Sequence, residues 1–73
     1  MRESRLKNTL KVQRAIKNLT QQELADRVNV TRKTINTVEN GKFVPSTELA
    51  LKLARVLEVT VEELFMLDDQ DIA

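Results

Sequence analysis

Apolar positions in this chain recur at helical spacing, and three of the apolar stripes open in the same way. An apolar residue, a threonine, three further residues and a second apolar residue occur at Leu19–Leu24, Val30–Ile35 and Val59–Leu64. A threonine ahead of a helix serves as its N-cap: the hydroxyl accepts from a first-turn N–H, and the flanking apolar pair closes over it as a staple. Helix starts are therefore predicted at Thr20, Thr31 and Thr60. Leu24, Ala25 and Val28 share one face of a helix reaching about Val28, where Asn29 suits a left-handed terminus. Ile35 and Val38 share one face of the next, which Asn40-Gly41 stops near Glu39.

The remaining stripes complete the outline. Ser46 caps a longer helix carrying Leu49, Ala50, Leu53, Ala54 and Leu57, widened by Leu51 and Val56, a breadth expected of a central helix. Leu6, Leu10, Val12, Ala15 and Ile16 give a ragged apolar side to a first helix from about Asn8 to Lys17. Val61, Leu64 and Phe65 belong to a short fifth helix, after which Met66, Leu67 and Ile72 stand among aspartates as an extended tail. The lone glycine and the lone proline bracket a single loop. The expectation is a compact all-α fold of five helices with no strand, in one domain spanning residues 1–73. Residues 1–5 would form an N-terminal arm and residues 66–73 an acidic tail.

Charge changes this picture more than composition does. The 73 residues carry a net charge of +1, yet residues 1–57 hold all twelve Lys and Arg and a balance of +7, whereas residues 58–73 hold six acids and no base. A basic body with an acidic end suits a molecule that turns one face to a polyanion; solvated surface charge on a small domain is the plainer alternative. A chain of this size buries only about 60% of its unfolded surface, so it gains from a partner. It contains neither cysteine nor histidine. That removes disulfides, thiolate metal sites and the commonest general base, and argues against an enzyme, a bound metal or a cofactor. No apolar run approaches a membrane span and no signal-peptide pattern opens the chain, so a cytoplasmic location is expected.

The third predicted helix breaks the capping rule that its neighbours keep. Glu23 and Glu63 sit three residues after their threonine caps, placing a carboxylate at the positive end of the helix dipole. After Thr31 the corresponding residue is Thr34, and Arg32 and Lys33 occupy the first turn. Cations there oppose the dipole, at roughly 0.3–1 kcal/mol each. An anion in front of this helix would relieve that. The few residues around Asn29 join the second and third helices by a tight turn, and small Ala25 permits their close approach. With Ile35 and Val38 facing inward, Lys33, Asn36, Thr37 and Asn40 fall on the outward side, with Arg32 beside them. All can hydrogen-bond and none is acidic. Arg and Lys suit guanine O6 and N7, Asn suits adenine N6 and N7, and a threonine methyl can touch thymine. An ordinary polar helix face is the alternative.

The run Gln21-Gln-Glu-Leu-Ala-Asp-Arg-Val-Asn-Val-Thr-Arg-Lys-Thr-Ile-Asn-Thr-Val-Glu-Asn-Gly41 resembles the Cro and lambda-repressor-type helix-turn-helix regulators, the XRE family. The likeness extends from about Leu10 to Phe65, with Asn29 standing where the family usually has glycine. It implies a lambda-repressor-like fold whose helices 2 and 3 form the helix-turn-helix. It also implies base reading by Arg32, Lys33 and Thr37, with Asn36 a weaker candidate, and phosphate contacts from Gln21, Thr34, Asn40 and Lys42. Arg14 and Glu39 match a structural ion pair of the family.

A two-fold dimer on a palindromic double-stranded DNA site is then expected, with no small-molecule ligand. Leu64, Phe65, Met66 and Leu67 would supply the dimer contact, although Leu64 and Phe65 could equally close the monomer core. Repression is the simplest outcome. An antitoxin that also binds a toxin, and a protein-interaction module on the same fold, are the rival readings.

Overall fold

The computed structural model describes residues 6–67. They form, in order, β1 (Lys7–Asn8), α1 (Leu10–Ile16), α2 (Gln21–Val28), α3 (Arg32–Glu39), α4 (Thr47–Leu57), α5 (Val61–Leu64) and β2 (Phe65–Met66). The expected N-terminal arm, residues 1–5, and residues 68–73 of the acidic tail lie outside them.

All three threonines cap their helices. Thr20 and Thr60 make full capping boxes, each hydroxyl accepting from the backbone of Glu23 or Glu63 while that glutamate accepts from the threonine N–H. The Thr20 backbone hydrogen bond, 2.8 Å to Glu23 Oε1, holds the Glu23 carboxyl below its ordinary value of 4.5. A depressed folded-state pKa stabilises above the unfolded value, and that contribution is lost as pH falls through the folded one. Leu19, Leu24, Ile35 and Leu64 lie in the core, with Val30 and Val59 packed against it, so each staple is seated.

The residue before each staple proves as regular as the cap after it. Asn18, Asn29 and Glu58 all adopt positive φ, 56°, 63° and 60°. In each case the next N–H reaches back five residues: Leu19 to the Arg14 carbonyl at 3.1 Å, Val30 to Ala25 and Val59 to Ala54, both at 3.0 Å. This is the left-handed helix exit that satisfies otherwise unpaired terminal carbonyls. One unit (left-handed residue, apolar residue, threonine cap) therefore ends one helix and starts another three times. Gly41, at φ 73°, ends α3 in the same manner, with Lys42 N–H on the Thr37 carbonyl at 3.0 Å. Because Asn29 tolerates this region and a β-branched residue does not, Asn29→Val is expected to cost about 1–2 kcal/mol while Asn29→Gly stays close to neutral. Urea unfolding of the two variants checks this.

The five expected helices are present, and two expectations about their faces are corrected. Ile16 is 66% exposed and Leu51 57%, with Val12 also exposed, so the apolar sides of α1 and α4 are narrower than their composition implies. On α1 only Leu10 is fully buried. The helix also begins at Leu10 rather than near Asn8, because Asn8 is extended and its Oδ1 accepts from the Leu10 N–H at 3.0 Å.

The absence of strand is corrected as well. Residues 7–8 and 65–66 pair antiparallel, Lys7 opposite Met66 and Asn8 opposite Phe65, clasping the two ends of the described chain together. Two residues per strand cannot stand alone. The pair is held by the helices on either side: Thr9 N–H donates to the Leu64 carbonyl at 2.9 Å and the Thr9 hydroxyl to Glu63 at 2.6 Å. The rest is helical, around one core of Leu10, Leu24, Ile35, Leu53, Leu57 and Leu64 with their neighbours.

Candidate nucleic-acid interface

Helices α2 and α3 are joined by Asn29, Val30 and Thr31 alone, and they pack on one another more extensively than any other pair. Ala25 is fully buried, as a close helix approach requires, and Ile35 and Val38 turn the inner face of α3 into the core. Arg32, Lys33, Asn36 and Asn40 are exposed, and so is Lys42 in the following loop; Gln21, Thr34 and Thr37 are half-buried. Among the described residues, no ion pair involves Arg32, Lys33 or Lys42. The first turn of α3 contains no acid. Thr34 occupies the missing glutamate's place with a neutral partner: its N–H donates to the Thr31 hydroxyl at 3.3 Å, and the two hydroxyls lie 3.1 Å apart. Two cations and a helix N-terminus thus share one exposed end, and among the described residues no carboxylate pairs with them.

The single acid of α3 is turned away from that surface. Glu39 accepts from Arg14 Nε at 2.7 Å and from Arg14 Nη2 at 3.3 Å, with the side chains only 3% and 16% exposed. Arg14 also donates from Nη1 to the Leu19 carbonyl at 2.9 Å, tying α1 to the start of α2. The Arg14–Glu39 pair implied by the resemblance is therefore made.

The pair extends into the outward stripe. Gln21 Nε2 donates to Glu39 Oε1 at 3.0 Å and to Asn36 Oδ1 at 3.2 Å. A carboxylate can only accept, so the Gln21 amide must turn its nitrogen toward Glu39; the second hydrogen then meets the oxygen of Asn36. Both Gln21 amide hydrogens are occupied, so a phosphate must displace one of them or use the Gln21 backbone N–H at the helix start. Thr37 differs from the simplest expectation too. Its hydroxyl donates back to the Lys33 and Thr34 carbonyls at 3.0 and 2.9 Å, so its hydrogen is already committed within the helix.

At the other end, Leu64 has 0% exposure and belongs to the core. Its assignment to a dimer surface is corrected, because the capping box at Thr60 and the β1–β2 clasp both turn it inward. Phe65 and Met66 are half-buried and Leu67 is exposed. Exposed Leu51, which the stripe on α4 had placed inside, joins Phe65, Val61 and Leu6 along a shallow apolar groove.

A family profile described as helix-turn-helix matches residues 10–64. The chain belongs to the helix-turn-helix regulators of the XRE type. This regulator is 44% identical over 66 residues to an HTH-type transcriptional regulator of Methanocaldococcus jannaschii, covering 90% of this chain and all of that protein. It is 32% identical to the cryptic phage CTXphi transcriptional repressor RstR of Vibrio cholerae over 82% of this chain and 54% of that protein. Among solved structures it is similar to the restriction-modification controller protein C.AhdI of Aeromonas hydrophila, with a TM-score of 0.69 and 33% identity over 74% of this chain and 78% of that one. The regulator's α2–turn–α3 unit is thus a DNA-binding element of a transcriptional regulator, in a family that is not enzymatic. Among the described residues no helix is long and apolar enough to cross a membrane.

Sequence reasoning overlooked one side chain at this site. Asn8 contacts the end of α3 from a strand it had not foreseen.

Proposed function

We propose that this regulator is a repressor that binds a palindromic operator as a homodimer, laying α3 in the major groove in the cytoplasm. The observation that carries the reading is the unopposed cationic start of α3, with its one acid locked inward against Arg14. Arg32, Lys33 and Thr37 read bases, Asn36 assists, and Gln21, Thr34, Asn40 and Lys42 hold phosphates. Repression is supported by the phage repressor among its relatives. The dimer forms through Phe65, Met66 and Leu67, with Leu51 beside them, an isologous patch placing two copies of α3 about one helical turn, ~34 Å, apart.

Selection of bound duplexes from a random pool at physiological salt tests the whole reading. Two inverted half-sites about ten base pairs apart are expected. An unstructured pool, or a single asymmetric site, would overturn the dimer. Binding to the selected duplex should weaken steeply with salt, log K falling by about 0.9 per phosphate neutralised per decade of salt. Lys42→Ala should flatten that slope by about one per subunit without altering the preferred sequence. A changed preference would make Lys42 a base reader.

A further inference from the structure

We infer that Asn8 is a positioning residue of the DNA-reading unit, its carboxamide joining the β1–β2 clasp to the far end of α3. The inference rests on the proposed reading of DNA by α3 and goes beyond it, since Asn8 itself lies on another element. Asn8 Nδ2 donates to the Val38 carbonyl at 3.0 Å and reaches the Glu39 carbonyl at 3.5 Å. These are last-turn carbonyls of α3, which lack partners within their own helix. Gly41 N–H bonds the Val38 carbonyl as well, at 3.0 Å, so the exit turn and Asn8 converge on one oxygen. The other half of the same amide, Oδ1, takes the Leu10 N–H and starts α1. The Asn8 backbone pairs with Phe65 in β2.

Among the described residues no other side-chain hydrogen bond joins β1 to α3. The start of α3 is held by its Thr31 cap, its inner face by Ile35 and Val38, and the Glu39 side chain at its end by Arg14 and Gln21 from α1 and α2, whereas the last-turn backbone carbonyls are reached from the clasp by Asn8. Asn8 supplies a directional hold there. Because β2 carries Phe65 and Met66, the same amide relates the pitch of α3 to the surface proposed for the second copy. Two recognition helices on one operator must match in pitch as well as in spacing, which is where a hold on the far end of α3 acts.

The test is Asn8→Asp in the full chain. Aspartate keeps the acceptor for Leu10 N–H but cannot donate to the Val38 and Glu39 carbonyls. Affinity for the selected duplex and for an unrelated duplex of equal length is measured well below the melting temperature of each protein. The expected result is a loss of roughly tenfold on the selected duplex, with the unrelated duplex and its salt slope unchanged. A purely structural role would move both affinities together or neither, and either result overturns the inference. If the wild-type protein itself fails to discriminate between the duplexes, the DNA-reading proposal falls and this inference with it. A discriminating wild type and an equally discriminating variant sink the inference alone. Should Asn8→Asp not fold, exchange of the Asn8 side-chain amide protons in the wild type decides instead. Protection in both free and operator-bound protein supports the hold, and loss of protection on binding overturns it.

Discussion

Replacing Arg32 and Lys33 together by alanine should reduce operator affinity on the order of a hundredfold or more while leaving the protein as stable as before, or slightly more so. The two halves of this result have different causes. A good base contact contributes about 1–3 kcal/mol of discrimination, and a dimer loses each contact twice. Folding loses nothing comparable, because both side chains are exposed and neither takes part in an ion pair among the described residues. Removing cations from the positive end of α3 relieves roughly 0.3–1 kcal/mol each, and alanine is the better helix former. Fluorescence anisotropy with the selected duplex, beside a circular-dichroism melt, separates the two. A substantial fall in melting temperature would mean that these cations hold the fold together, and the argument that they await an anion would fail.

The opposite pattern is expected at the last residue of the same helix. Glu39→Ala should destabilise the protein by about 3–5 kcal/mol, because it strands the Arg14 guanidinium in a site that is only 16% exposed. Domains of this size hold ~4–11 kcal/mol in total, so the melting temperature should fall by roughly 15 °C or more. The double variant Arg14→Met/Glu39→Met should recover much of that loss, since much of the cost of breaking a buried pair is the unpaired charge left behind. If Glu39→Ala melts within a few degrees of wild type, the pair is a surface ornament. The variant also frees Gln21, whose amide orientation depends on the carboxylate, and with it Asn36. Any residual folded Glu39→Ala should therefore bind the selected duplex less selectively than its folded fraction alone accounts for.

The contrast between these variants shows which parts of the site could be read along the chain. Arg32 and Lys33 stand out locally: they fill the first turn after Thr31, ahead of a Thr34 that stands where a capping glutamate belongs. Arg14 and Glu39 lie 25 residues apart and could be paired in advance only through resemblance to a family. Thr37 was legible as an outward residue, but the turning of its hydroxyl onto the Lys33 and Thr34 carbonyls was not. A threonine in a helix can return that bond or leave it to solvent, and residue type does not choose. Asn18 and Asn29 are of a type that enters the left-handed region. Glu58 is not, and it does so because Leu57 before it and the stapled pair Val59 and Leu64 after it are all drawn to one core.

What the residue order determined by itself is therefore the set of helices, the starts of α2 to α5 at threonine and serine, the stops of α2 and α3, and the charged outward stripe of α3. Each depends on hydrogen bonds and side-chain spacing within about one turn, and short-range geometry follows from neighbours in the chain. Tertiary structure alone decided the β1–β2 clasp, the burial of Leu64, the exposure of Ile16 and Leu51, and the grip of Asn8 on the end of α3. Those features join residues separated by as many as 59 positions, Lys7 with Met66, or depend on which helix happens to cover a side chain. An amphipathic stripe states that a face can be buried, and only the packed neighbours determine that it is.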